Sequence, residues 1–505
     1  MNKSTITLLF SIFCLNAFSQ KTYNILNYGA KSGSNFINTA AIQQAIDAAT
    51  SHGGGRVIVP AGYFITAPLN LKSDVELHLN NDAILLGSAK RLDYPDNQMS
   101  VIYAQNQQNI AITGNGIIDG QGRDLVENTL MLLRQGKIQD EQWLLKRPTE
   151  KNRPFVVYFK NCQHVKVTGI TLKNAACWVQ TYSECDDVTI DSIKVQSTAY
   201  WNNDGIDIVD SKNVKITNSY FNAADDAICL KSENPQGSCE NIWIENCIAR
   251  SSASGFKIGT GSLGGFKNIK VSNLTVFDTY RSAIALETVD GAYLQDIDIR
   301  HVIGKNVGNA LFIRLGHRNQ DNRYSTLRNV LINDVKVEVP FGKPDIGYPL
   351  EGPPPKIPPH NLITSSITGL PGHPVQNVTL QNIEISYGGG AKKEVAYISI
   401  DDLASVPENA TGYPEFTMFG ELPAWGMYIR HAEGIKLNNV KLSYAQDDYR
   451  PSIIADDTNG LILQNVTIPA SKSTAVIVLN NVTGETIDKV SLPVSNKNGI
   501  LTQKK

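Results

Sequence analysis

The chain is poor in the features that would commit it to a membrane, a nucleic acid or a disulfide framework. Beyond residue 20 no stretch approaches the roughly 20 apolar residues that cross a bilayer, so no membrane span is expected. A net charge of only −2 over 505 residues offers no bulk attraction to a polyanion, which argues against nucleic acid as a partner. Seven cysteines are too few for a disulfide scaffold at this length, and none falls in a Cys-x-x-Cys or Cys/His spacing that holds zinc. Neither a metal nor a cofactor is expected. With 42% hydrophobic residues, what remains is a soluble chain able to bury a large core.

Residues 1–19 read as an export leader: Lys3, an apolar run from Ile6 to Phe13, then Asn16-Ala17-Phe18-Ser19, suited to cleavage near Ser19. The mature chain, 20–505, is then expected as one domain in a secreted or periplasmic location. Cys14 follows the bulky Phe13, where a lipid-anchored leader carries a small residue, so no lipid anchor is expected.

A short pattern recurs, apolar-x-apolar-x-x-apolar, usually behind Asn, Asp or His: Val165/Val167/Ile170, Val188/Ile190/Ile193, Ile242/Ile244/Cys247, Ile269/Val271/Leu274, Ile297/Ile299/Val302 and on to Leu461/Leu463/Val466. Its period is too long for a hairpin and no helical pattern separates the repeats. An all-β parallel solenoid fits, each strand pairing with the coil below at about 4.8 Å. Asp187, Asn213, Asn241, Asn268, Asp296, Asn329 and Asn377 fill one slot before the strand and predict an Asx ladder. Cys162 and Cys185 share a slot one coil apart, as a disulfide or a reduced ladder. Before the coils, Asn38 can cap a helix whose stripe Ile42, Ala45, Ile46 and Ala49 plugs the solenoid, ended by Gly53-Gly54-Gly55. Interruptions at 121–153, 339–375 with Pro353-Pro354-Pro355, and 402–431 read as long projecting loops.

Aligning a further strand of each coil puts Ile206, Ile228, Phe256, Ile284 and Leu311 in one inward slot. Two residues earlier stand Asp204, Asp226, Ser254, Ser282 and Asn309. Asp204 and Asp226 are thus expected one above the other, with Asp225 beside them and a bend supplied by Gly205. Alternation assigns the outward slots to Asp207, Cys229, Lys257, Ala285 and Phe312, then Val209, Lys231, Gly259, Glu287 and Arg314. Carboxyls held together cannot all ionise, and one left protonated beside one ionised is what glycosidic cleavage requires. Aspartates in solenoid turns also cap backbone or bind calcium; it is the succession Asn-Asp-Gly, then Asp-Asp one coil later, that favours catalysis.

Asn202-Asn203-Asp204-Gly205-Ile206-Asp207 followed by Asp225-Asp226 resembles glycoside hydrolase family 28, the polygalacturonase and rhamnogalacturonase family. Asn27-Tyr28-Gly29-Ala30, Asn38 to Gln43 and Gly54-Gly55-Arg56-Val57 are similar to that family's entry segment. The resemblance implies a right-handed parallel β-helix, Asp225 as general acid, and Asp204 and Asp226 activating water in an inverting hydrolysis. It breaks where polygalacturonases carry Gly-His-Gly and Arg-Ile-Lys; here those places read Ala253-Ser254-Gly255 and Ala285-Leu286-Glu287. Glu287 there would repel a uronate. Lys231, Lys257 or Arg314 are candidates to replace the lost cations, although each alone reads equally as a solvated charge.

Asn202, Asp207, Lys231, Ser254, Lys257, Glu287 and Arg314 are the candidate substrate-binding residues, for a polysaccharide or oligosaccharide partner. Trp178, Tyr182, Tyr200 and Trp201 are candidate sugar-stacking aromatics. The long loops suggest a pocket for chain ends, hence exo action. Two other readings stand: a calcium-dependent polysaccharide lyase with Lys257 as base, and a carbohydrate-binding solenoid without activity. Solenoids need no partner, so a monomer is expected.

Overall fold

The recurring apolar-x-apolar pattern marks the strands. In the computed structural model, which describes residues 21–342, 344, 363–394, 398–469, 475–492 and 499–503, Gln163–Thr168, Asp186–Asp191, Lys212–Thr217 and Cys239–Ser251 pair in parallel, with Val165, Val188, Val214 and Ile242 in one row. The expected leader, Cys14 and Pro353-Pro354-Pro355 lie outside the described residues.

Each coil feeds two further parallel stacks. One runs through Thr171–Lys173, Lys194–Ser197 and Tyr220–Ala223. The other, which we call the floor, runs through Ser100–Gln105, Phe155–Lys160, Gln180–Ser183, Asp207–Val209, Ile228–Ser232 and Phe256–Ser262. The long strands Gly265–Thr288 and Tyr293–Leu315 pass through all three. The architecture is therefore an all-β parallel β-helix, its inward rows packed into one continuous core. Each fully buried Val, Ile or Leu there contributes about 1.5–3 kcal/mol.

The Asx ladder forms as expected. Asp187, Asn213, Asn241, Asn268, Asp296, Asn329 and Asn377 all take left-handed backbone, φ 53–60°, and the amides climb from coil to coil: Asn241 to Asn213 (3.1 Å), Asn268 to Asn241 (2.7 Å), Asn329 to Asp296 (3.0 Å). Asn and Asp tolerate that conformation better than other residues bearing a Cβ. A second ladder at the next corner, Asn218, Asn246 and Asn273, was not anticipated. The six described cysteines are free and buried, so Cys162 and Cys185 are stacked thiols.

A helix α1 (Thr39–Ser51) buries Ala41, Ile42, Ala45, Ile46 and Ala49. It packs on the strands Thr22–Asn24, Gly55–Val59, Leu69–Asn70 and Val75–Leu79. Asn38 occupies the position before it but does not cap it: its side chain accepts from the Lys31 amide (2.7 Å) and donates to Phe36 O (3.1 Å). The 121–153 interruption is not all loop, since it contains a helix α2 (Gly122–Arg134) that buries Leu125, Val126, Thr129, Leu132 and Leu133. The 402–431 interruption folds back on the solenoid. Leu403, Val406, Phe416, Met418, Phe419 and Leu422 form a second apolar cluster over Phe312, Tyr428, Ile454 and Val478. Since Phe312, Tyr428 and Ile454 are outward floor residues, that segment covers the floor on its C-terminal side.

Candidate active site

Local sequence builds the turn that carries the first acid. Asn202 adopts left-handed backbone (φ 57°). Asn203 is fully buried and clamps the turn, donating to Ala175 O (3.0 Å) and Cys177 O (2.9 Å) while accepting from Ser197 Oγ (2.8 Å) and the Ala199 amide (3.1 Å). The Gly205 amide then donates to Asp226 O (2.9 Å), Ala227 to Ser254 O (2.9 Å) and Gly255 to Ser282 O (3.0 Å). Asp204, Asp226, Ser254 and Ser282 are thereby stacked coil on coil, as the alignment predicted. Gly205 does not serve through a left-handed bend. A Cβ on it would meet Ala227 O at 2.5 Å, so close approach of the neighbouring coil is what demands glycine.

The three acids converge: one oxygen each of Asp204, Asp225 and Asp226 lies within 4.8 Å of the others. Asp204 and Asp226 are each 3% exposed, and Asp225 is half-buried, making it the carboxyl open to an incoming ligand. Two buried lysines neutralise the cluster from beneath. Lys231 Nζ lies 3.0 Å from Asp204 Oδ2, in closer contact with Asp207 Oδ1, and 3.1 Å from Cys229 Sγ. Lys257 Nζ lies 3.0 Å from Asp226 Oδ2 and 3.7 Å from Glu287 Oε2. Ser254 contributes its backbone, whose N–H donates to Asp226 Oδ1 (2.9 Å).

These surroundings split the acids. Burial alone would raise Asp226, but Lys257, Arg281 and Lys231 outweigh it and hold that carboxyl below its ordinary value. Burial, then the Asp226 charge, pushes Asp225 up. Burial raises Asp204 well above the carboxylate range despite Lys231, with Asp207, Asp225 and Asp226 adding to the effect. Burial likewise lifts Asp207 to about 6 and Glu287 to about 7. Both lysines stay charged, because their carboxylate neighbours overcome the opposing effect of burial.

The predicted binding residues sort into three groups. Asn202 stands at the rim of the site: its Nδ2 donates to Asp225 Oδ2 (3.3 Å), and its Oδ1 accepts from Arg147 Nε and Arg153 Nη2 (2.9 Å each). Asp207, Lys231, Ser254, Lys257 and Glu287 are at most 8% exposed, so they form a charged layer under the acids instead of the open face expected of them. A buried charge must be paired, and pairing draws the lysines onto the carboxylates. Arg314 is not part of the cluster. It is 1% exposed, donates to Gly369 O (3.1 Å) and Glu408 O (2.7 Å), and lies over Phe419.

Sequence reasoning missed the contributions of the loops. Tyr413 brings its hydroxyl to 3.4 Å from Lys257 Nζ, and Glu415 pairs with Arg281 (3.4 Å), whose charge acts on Asp225 and Asp226 from two coils further on. Of the proposed stacking aromatics, Tyr182 is fully buried in the inward row of Phe159 and Ile208, which strict alternation would have revealed. Tyr200 and Trp201 lie under Arg153 and Arg147 respectively. Trp178 lies beside the site, with Lys231 Nζ 4.5 Å from its ring centroid.

Among the described residues two groupings have metal-like spacing, Asp204 with Asp225 and Asp226, and Asp204 with Asp207 and Cys229. In the second, the Lys231 ammonium already contacts all three ligand atoms. In the first, Lys231 and Lys257 compensate two of the three carboxylates, a poor setting for a dication.

Comparison with known proteins bears on the same residues. Positions 50–342, more than half of the chain and including all three acids, match the model of glycosyl hydrolases family 28. The chain belongs to this family. Among the relatives of this chain, an exo-poly-alpha-D-galacturonosidase from Dickeya chrysanthemi is 29% identical over 301 residues, 50% of each chain. An exopolygalacturonase from Zea mays is 28% identical over 266 residues, 51% of this chain and 58% of its own. The chain thus spans about half the length of these curated relatives. A crystal structure of a hyperthermoactive exopolygalacturonase from Thermotoga maritima shares the fold, with a TM-score of 0.58 and 23% identity over 72% of this chain and 87% of that one.

Proposed function

We propose that this chain is a glycosidase that hydrolyses O-glycosidic bonds of pectin-type or related plant or algal polysaccharides from chain ends. The observation that carries the reading is the acid cluster itself, with Asp225 half-buried at its open side and Asp226 ion-paired behind it. In the productive state Asp225 is protonated and Asp226 ionised. Asp225 gives its proton to the leaving oxygen as the anomeric C–O bond breaks. Asp226, with Asp204 alongside, takes a proton from the water whose oxygen bonds to the anomeric carbon.

We take the water to attack directly, with inversion. That assignment rests on the family resemblance and not on spacing: the nearest oxygens lie within 4.8 Å, shorter than the roughly 6.5–9.5 Å between carboxyls in most inverting pairs. A lyase mechanism is disfavoured because Lys257, held protonated by Asp226 and Glu287, cannot take a proton at neutral pH. The exo assignment is supported by residues 403–422, which cover the C-terminal side of the floor and bring Tyr413 to Lys257, the partner of Asp226.

The coil is taken as right-handed, as nearly all parallel crossovers are. α1 serves as its N-terminal plug, supported by its buried stripe. The mature chain, 20–505, is taken as one monomeric domain, exported by its apolar leader. A screen for reducing-sugar release on pectic and algal polysaccharides and their oligosaccharides tests the function. Accumulating monomer or dimer is expected; glycan binding with no product would favour a binding-only solenoid, and a mixture of long oligomers would refute exo action.

A further inference from the structure

On the floor, N-terminal to the acids, four half-buried aromatics form one surface. Tyr103 and Tyr158 stack on neighbouring coils (6.0 Å between centroids, 13° between planes), Phe155 stacks on Trp178 (5.7 Å, 14°), and Phe155 also touches Tyr158 (5.6 Å). They line a groove of about 420 Å³ together with Lys160 and Glu233. The groove is continuous with the site, since Trp178 lies against Lys231, the partner of Asp204. Tyr158 stands in the same outward row as Asp207, separated from it by Thr181, hence about 10 Å away at two coil spacings.

Contiguous aromatic faces left open to water on a soluble protein mark a binding surface. Their flat, apolar faces suit the C–H face of a pyranose ring, and the coil spacing lays successive rings along the direction in which a glycan would leave the acids. The charges that line the groove decide which pyranose. Lys160 is within 3.9 Å of Glu184. Lys231 is committed to Asp204 and Asp207. Glu233 adds negative charge, and Asp96 in the same lining is already paired with Arg91 (3.0 Å), so a sugar carboxylate in this groove would meet no uncommitted cation among the described lining residues and would face the Glu233 carboxyl.

We infer that this groove is a subsite for an uncharged pyranose, one whose carboxyl is absent or esterified. The inference rests on the proposed glycosidase reading and specifies the substrate of that same site.

The test is calorimetric binding to the full-length Asp225→Asn protein, using a fully methyl-esterified trigalacturonide and its de-esterified form as probes. Tyr158→Ala, added to that protein, is expected to weaken binding of the ester roughly three- to tenfold and to change binding of the acid form by less than about twofold. Tyr103→Ala on the neighbouring coil repeats the measurement if Tyr158→Ala does not fold. An equal or larger loss for the acid form, no loss for either, or no binding of either probe overturns the subsite. Reducing-sugar release by the wild type tells the two ideas apart. Turnover with Tyr158-independent binding sinks the subsite alone, whereas Tyr158-dependent binding of the ester without turnover on any pectic or algal glycan sinks the glycosidase alone.

Discussion

Glu287 is a buried acid whose charge the fold does not favour, and replacing it with glutamine should make that visible. It is 2% exposed, and its Oε2 has no hydrogen-bond partner among the described residues, with Lys257 Nζ 3.7 Å away. Burial, only partly offset by Lys257, raises it from 4.5 to about 7. At about 1.36 kcal/mol per unit, ionised Glu287 costs the folded state on the order of 3 kcal/mol. The sign follows from proton uptake. Below about pH 4.5 both folded and unfolded chains hold the proton and there is no penalty. Between there and about pH 7 only the folded chain holds it, so stability falls as pH rises, and above about pH 7 the full cost remains. A glutamine side chain in its place would stay neutral throughout.

The unfolding entropy of a cooperative 505-residue chain is about 1 kcal/mol/K. The melting temperature of Glu287→Gln, relative to wild type, should therefore rise by about 3 °C between about pH 4 and pH 9. If the coils unfold in smaller units, the shift is larger. Calorimetric melts across that range read it directly. A difference that does not vary with pH, or that falls as pH rises, would refute the assignment of Glu287 as a buried acid at odds with its surroundings.

Three further outcomes follow from the site's geometry. Lys257→Met leaves Asp226 and Glu287 buried without their cation, which should cost about 3–5 kcal/mol in denaturant titrations; it also lets burial raise Asp226, moving the acid limb of the kcat/KM profile to higher pH. Asn202→Ala removes a donor to Asp225 and the acceptor shared by Arg147 and Arg153, so kcat should fall roughly tenfold, about the effect of one hydrogen bond, and unchanged kcat would leave Asn202 a purely structural residue. Proton NMR of the first-formed product is expected to show the anomer opposite to the substrate linkage, whereas retained configuration would assign one aspartate as a nucleophile.

Much of this was legible in the sequence, for a physical reason. A solenoid converts linear spacing into position, so the register of Ile206, Ile228, Phe256 and Ile284 was enough to stack Asp204 on Asp226 and to place Lys231, Lys257 and Glu287 on the same side of the floor. Register does not say whether a charged side chain stays in water, and the lysines turned out to be drawn beneath the acids. Arg314 shared the row but not the site, because the docked 402–431 segment supplied its backbone partners. Tyr413, Glu415, Arg147 and Arg153 sit on segments outside the repeat, where nothing in local spacing indicates where a loop will dock. α2 was readable, since Leu125, Val126, Thr129, Leu132 and Leu133 recur at helical intervals, but an interruption between coils was read only as loop.

Hydrolysis at this site stands or falls on Asp225 delivering the proton to the departing sugar. The decisive quantity is kcat on a pectic oligosaccharide for Asp225→Asn, taken alongside the variant's melting temperature. A loss of roughly 10²–10⁴-fold in kcat with the fold intact is expected. A correctly folded variant that turns over within a few fold of wild type would take the proton-donor role away from Asp225.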